Sequence, residues 1–164
     1  MRYRGKLYRA LNPVHAREPL SGQGAALYGG RFNPKGVPAL YTSLSILTAI
    51  REANQVGDLQ PTTLVCYDAD IAAVLDGCDP QVLHSVGMTP ADLADSTWRD
   101  QMRNKGEART QALARRLMSE GYHGLRVPSF ARGARPEDVN LVLWAWGAAP
   151  HQLILVDDEG RLTR

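Results

Sequence analysis

The chain has 164 residues, with 19 Lys and Arg against 17 Asp and Glu, a net charge of +2. That length fits one domain with a full core, and 44% apolar with 22% charged residues is a globular rather than a disordered composition. The charge is too balanced to argue by itself for nucleic acid or an anionic membrane as partner.

In chain order, Leu7 to Leu11 reads as a short strand ended by Asn12-Pro13. Val14 to Phe32 reads as a long glycine-rich loop, and such loops in a compact domain are usually functional. Ala39 to Thr42 is a second strand. The spacing then predicts a helix from Ser43 to Val56, stopped by Gly57-Asp58. Ile46, Leu47, Ile50 and Ala53 form its apolar face; Ser45, Thr48, Glu52 and Gln55 lie opposite, with Tyr41 projecting onto that polar side. Thr62 to Tyr67 is β-branched and apolar, a buried strand. Thr89-Pro90-Ala91-Asp92 starts a helix, with Thr89 as N-cap and Pro90 at the first position. Glu107 to Glu120 is a further helix, with Leu113, Ala114, Leu117 and Met118 inward and Gly121 as its stop. Strands follow at Gly124 to Val127, Leu141 to Trp146 and Gln152 to Val156, then a turn at Asp157 to Gly160. This order predicts an α+β fold in a single domain over residues 1–164, not a doubly wound parallel sheet.

Several chemistries are missing. There is no phosphate-binding G-x-x-x-x-G-K-[ST], no complete G-x-G-x-x-G, no H-E-x-x-H and no G-x-S-x-G. Cys66 and Cys78 exclude a disulfide scaffold and lack zinc spacing to a histidine, so a reducing, cytoplasmic setting and no metal are expected. Leu141 to Ala149 is too short to span a bilayer, and the basic start MRYRGKLYRAL has no apolar signal-peptide core, so no membrane association is expected.

What is present is Gly29-Gly30-Arg31-Phe32-Asn33-Pro34, then Ala39-Leu40-Tyr41-Thr42-Ser43, then Glu52. Two glycines before an arginine allow a sharp turn and close approach of a ligand, and a guanidinium fork suits phosphate or a ribose hydroxyl. Arg31 equally suits tying down its own loop. A glutamate opposite an apolar face is ordinarily a solvated surface charge. Tyr41 reads also as a half-buried strand aromatic, and Ser129, after Pro128, as a turn residue.

The chain resembles the RES-domain proteins, named for an arginine, a glutamate and a serine. The likeness runs from YRALNP through PLSGQGAALYGGRFNPKGVPALYTS, the helix with Glu52 and GYHGLRVPS to NLVLWAWG; Asp70 to Arg103 is the least diagnostic segment. By position, the resemblance assigns Arg31, Glu52 and Ser129 as the family's arginine, glutamate and serine, and Tyr41 as its active-site tyrosine. It implies a fold like that of bacterial ADP-ribosyltransferase exotoxins, and NAD+ as substrate. It also implies the role of toxin in an Xre–RES type II toxin–antitoxin pair, with a cognate Xre-family-like antitoxin as partner.

The activity so implied is transfer of ADP-ribose from NAD+ to a cellular protein, phosphoribosyl-pyrophosphate synthetase being the acceptor known in the family. The alternative is NAD+ hydrolysis or phosphorolysis. Glu52, Arg31 and Tyr41 are the expected catalytic residues; Arg31, Tyr41, Ser129, Gly30 and Phe32 are expected to bind NAD+. Glu52 would stabilise an oxocarbenium ion, Arg31 grip pyrophosphate or ribose, Tyr41 pack on nicotinamide, and Ser129 donate a hydrogen bond to NAD+. The loop Ser21 to Gly30 would cover the site. Two rivals from another class are a non-catalytic NAD+ binder and a nucleic-acid module built on Arg99, Arg103, Lys105, Arg109, Arg115 and Arg116. That basic cluster is interrupted by Asp100, Glu107 and Glu120 and accompanies no recognised motif, so no direct nucleic-acid contact is expected.

Overall fold

A seven-stranded sheet organises the computed structural model, which describes residues 1–55 and 57–162. The predicted helix end at Val56, and Thr163 and Arg164, lie outside the described residues. The strands are β1 (Tyr3–Leu11), β2 (Leu40–Ser43), β3 (Thr63–Ile71), β4 (Val74–Asp76), β5 (Gly124–Pro128), β6 (Val139–Leu143) and β7 (His151–Leu155), in the spatial order β4-β5-β6-β2-β1-β3-β7. β1 and β3 pair antiparallel from Tyr3 opposite Ile71 to Leu11 opposite Thr63. β4 and β5 are parallel. A parallel pair needs a long crossover, and here it carries four helices: α3 (Pro80–Ser85), α4 (Pro90–Ala94), α5 (Trp98–Lys105) and α6 (Arg109–Ser119). The α+β class expected from the sequence is borne out.

Strand alternation divides the interior. Leu141 and Leu143 of β6 enter a core with Leu7, Leu40, Tyr67 and Ile71. Val142, between them, enters another with Leu125, Leu113, Leu117 and Phe32, where α3, α4 and α6 cover the sheet. Thr89 caps α4 as expected, its side chain accepting from the Asp92 amide while Asp92 accepts from the Thr89 amide.

Three expectations change. The stretch expected to be one long loop holds a 3-10 turn at Pro13–His15 and α1 (Gln23–Tyr28). The Thr62 to Tyr67 strand runs on to Ile71, while the one placed at Leu141 to Trp146 spans Val139–Leu143. The third change concerns α2 (Ile46–Ala53), where the expected apolar stripe does not lead inward: only Ile50 of it is half-buried. Ile46 and Leu47 are exposed, whereas Thr48 and Ala49 are buried. Polar anchors outweigh the apolar stripe here. Asp138, at the start of the β6 region, is buried and accepts from the Thr48 hydroxyl at 2.7 Å, Arg51 Nη1 at 2.5 Å and the Arg135 amide at 2.7 Å. These bonds clamp the polar side of α2 onto the sheet, and buried carboxylates are tolerated only when so satisfied.

The Arg135 amide first, then Thr48 and Arg51, hold the Asp138 carboxyl below its ordinary pKa. A carboxyl lowered in the folded state contributes stability in full above its unfolded value, roughly 3.9, and loses it as pH falls through the folded value. Asp138→Ala is therefore expected to lower the urea midpoint at neutral pH, with the gap to the parent narrowing as pH falls below about 4. Equal midpoints at neutral pH would contradict the clamp.

Candidate active site

The turn after α1 is built from both directions. Gly29 has φ 72°, a left-handed conformation that glycine adopts without strain. Gly30 and Asn33 then exchange backbone hydrogen bonds at 2.9 and 3.4 Å, leaving Arg31 and Phe32 at the tip. Asn33 is fully buried; its amide nitrogen donates to Ala25 O and Val37 O, and its Oδ1 accepts from the Tyr41 hydroxyl at 2.6 Å. That hydroxyl also accepts from the Phe32 amide at 3.0 Å. Gln111 of α6, also fully buried, donates to Gly30 O and Asn33 O, and the Trp144 indole donates to Phe32 O. The backbone polar groups of Gly30, Phe32 and Asn33 are thus occupied, which fixes the point from which the Arg31 side chain departs.

Arg31 does not hold its own loop. Its Nη1 donates to Leu93 O and Asp95 O, each at 2.9 Å, so it secures the connection between α4 and α5. Its Cζ lies 4.6 Å from the centroid of the Phe130 ring and 5.9 Å from that of Trp98, within cation–π range. Burial chiefly, and then Arg99, lower its pKa, while Glu52 and Asp95 oppose the shift. A guanidinium starts so high that it stays protonated at neutral pH.

Glu52 is not a solvated surface charge. Its Oε1 accepts from Ser129 Oγ and Asn140 Nδ2, both at 2.5 Å, and its Oε2 accepts from Gln55 Nε2 at 2.6 Å. Asn140 is oriented in turn by Ser43, whose hydroxyl donates to Asn140 Oδ1 at 2.7 Å. Ser129 Oγ accepts from the Ala131 amide. The Ser129 hydroxyl is therefore committed to the carboxylate, not held out toward a ligand.

Arg31, Tyr41, Glu52, Gly30 and Phe32 all line one cavity of about 280 Å³, together with Trp98, Arg99, Phe130, Asn140 and others. Two neighbouring cavities, of about 320 and 510 Å³, also border Tyr41, and Glu52 borders the smaller of them. Enclosure pushes the Tyr41 hydroxyl pKa up, while its ring is part exposed. The cavity combines a fixed carboxylate, a fixed guanidinium and aromatic walls. Such a set suits a ligand with a cationic or developing positive centre, an anionic group and a flat ring.

Sequence reasoning left several lining residues without a role. Asn140 stood in the strand run NLVLW as a polar residue on the same strand face as Val142, and that alternation was its available signal. Trp98 and Arg99 fall in the least diagnostic segment, and only the crossover brings them over the turn.

A Cβ at Gly30 would collide with the Tyr41 hydroxyl and Asn33 Oδ1, whereas one at Gly24, in α1, would meet nothing within 4 Å. Gly30→Ala is expected to lower the melting temperature and loosen the turn. Gly24→Ala is expected to be neutral or stabilising by up to about 1 kcal/mol. A thermal melt of both variants checks the contrast, and equal effects would contradict the close packing at Gly30.

A family model described as the RES domain matches residues 6–164. The NAD(+) phosphorylase MbcT of Mycobacterium bovis, and that of two Mycobacterium tuberculosis strains, are each 32% identical over 93 residues, covering 50% of this chain and 50% of the relative. The chain thus matches about half the length of these curated relatives. With the match extending over nearly all of its residues, the chain belongs to the RES-domain family.

Proposed function

We propose that this chain consumes NAD+ by phosphorolysis, releasing nicotinamide and ADP-ribose 1″-phosphate, as the toxin of a toxin–antitoxin pair. The observation that carries the reading is the Glu52 carboxylate, fixed by Ser129 and Asn140 in the cavity that Arg31 also lines. That the mycobacterial relatives are NAD(+) phosphorylases supports phosphate as the acceptor, in preference to the protein acceptor that the sequence resemblance implies.

The chemistry needs few groups. Nicotinamide in NAD+ is already cationic and leaves as a neutral base, so no general acid is required. An ordinary glycoside needs two carboxyl groups, whereas here one suffices. As the glycosidic bond ionises, positive charge develops on the ribose, and a carboxylate held beside it stabilises that charge. Glu52 has this role in the proposal. Ser129 and Asn140 keep it aimed and are positioning residues. Arg31 supplies a fixed cation for the phosphate or ribose oxygens, and the exposed part of the Tyr41 ring packs against nicotinamide. Gly30 and Phe32 shape the floor that NAD+ would approach. The partner in this reading is a cognate antitoxin of the Xre family that occludes the cavity.

Glu52→Gln, whose amide oxygen can still accept from Ser129 and Asn140, is expected to reduce nicotinamide release by about 10²–10³-fold while circular dichroism shows the fold retained. Parent-like turnover would remove Glu52 from the mechanism. Ser129→Ala is expected to lower kcat while leaving the KM for NAD+ nearly unchanged, because it acts through Glu52. A rise in KM alone would instead mean direct contact with NAD+. Mass spectrometry of the products with and without inorganic phosphate tests the acceptor. ADP-ribose 1″-phosphate formed only with phosphate supports phosphorolysis, free ADP-ribose indicates hydrolysis, and label from NAD+ on a protein band of a lysate indicates transfer.

A further inference from the structure

The cavity contains a cation with no protein anion. Of the basic residues along α5 and α6, Arg103 pairs with Asp100, Arg109 with Asp92, Arg115 with Glu107 and Arg116 with Glu120; Lys105, at the end of α5, is not among the residues that line the cavity. Arg99 makes no ion pair or hydrogen bond among the described residues; it stacks on Trp98, its Cζ 4.4 Å from the ring centroid. Arg99 and the Trp98 ring beneath its guanidinium line the same cavity as Arg31 and Glu52. Arg31 approaches the same indole at 5.9 Å, so two guanidinium groups share one aromatic support.

Two cations beside one carboxylate leave the cavity with a positive surplus. Arg31 contributes a charge already tied by its Nη1 to backbone carbonyls. Arg99 is different: its donors are exposed and unengaged, and stacking leaves the planar edge of the group available. A planar fork of unengaged donors at the rim of a cavity, backed by a second fixed cation, is suited to a phosphoryl oxyanion.

We propose that Arg99, supported by Arg31, forms a phosphoryl-binding subsite at the rim of the Glu52 cavity. This rests on the phosphorolytic reading for its occupant, inorganic phosphate, though the dinucleotide's own pyrophosphate has the same chemistry. In the phosphorolytic step an oxygen of hydrogen phosphate bonds to the anomeric carbon as the bond from that carbon to the nicotinamide nitrogen breaks. The electron pair of the broken bond returns to the nitrogen, and the phosphate monoester keeps the proton it brought until solvent removes it. Arg99 holds the incoming dianion and offsets its repulsion by Glu52.

The test combines turnover with direct binding. Arg99→Ala is expected to raise the KM for phosphate by about 10- to 100-fold while leaving the KM for NAD+ unchanged. Arg99→Lys is expected to fall between, because it keeps the charge and loses the fork. Arg103→Ala, paired with Asp100, is expected to match the parent. A rise in the KM for NAD+ alone would keep the subsite and assign it to the pyrophosphate. In parallel, phosphorus NMR titration of inorganic phosphate, without NAD+, should show weaker binding to Arg99→Ala. Unchanged phosphate binding together with unchanged KM values would overturn the subsite while leaving the NAD+ reading intact. Arg99-dependent phosphate binding by a parent chain that never releases nicotinamide would overturn the NAD+ reading and retain the subsite.

Discussion

A carboxylate that faces the protein instead of the solvent sets the rest of this structure. Glu52 receives hydrogen bonds from Ser129 and Asn140 on elements far along the chain from its own helix. Those bonds, and the buried Asp138 gripping Thr48 and Arg51 of the same helix, draw Thr48 and Glu52 of α2 inward. The consequence is visible on the other side, where Ile46 and Leu47 lie exposed. An isolated amphipathic helix would settle the opposite way, since burying an aliphatic side chain is worth roughly 1.5–3 kcal/mol. The chain forgoes part of that gain to hold one anion in a cavity, an arrangement that fits function better than stability alone.

The cation opposite it is fixed by different means. Among the described residues no short salt bridge clamps Arg31; its position follows from the turn beneath it. Tyr41, Gln111 and Trp144 occupy polar groups of that turn from three other parts of the chain, and Asn33 of the turn itself ties it to Ala25 and Val37. The glycines matter for the same reason, because the Tyr41 hydroxyl takes the space a side chain at Gly30 would need. Arg31 then reaches across to the carbonyls of Leu93 and Asp95. One side chain therefore serves both the cavity and the docking of the crossover helices. Loss of its guanidinium would disturb both, so its removal is a poorer probe of chemistry than a change at Glu52.

Much of the architecture was legible in the residues. The α+β order, the cap at Thr89 and the inward Leu113 and Leu117 follow from local pattern and capping chemistry. The convergence of Arg31, Tyr41 and Glu52 on one cavity followed from the family likeness, not from spacing. Periodicity misread α2 because it weighs apolar faces and is blind to a buried acid 87 residues away from Arg51. It also missed α1, a single short helix inside a glycine-rich run. That Trp98 and Arg99 belong to the cavity was invisible for a topological reason, Arg99 reading only as part of a basic helix face: they reach the cavity through the long connection that a parallel strand pair demands.

The central claim is that the carboxylate at 52 and the guanidinium at 31 act on one nicotinamide riboside. A crystal structure of Glu52→Gln grown with NAD+ tests it most directly. The account predicts the nicotinamide ribose lodged between residue 52 and Arg31, with the ring against Tyr41. NAD+ bound on another face, or density there for a ligand that contacts neither residue, would contradict it.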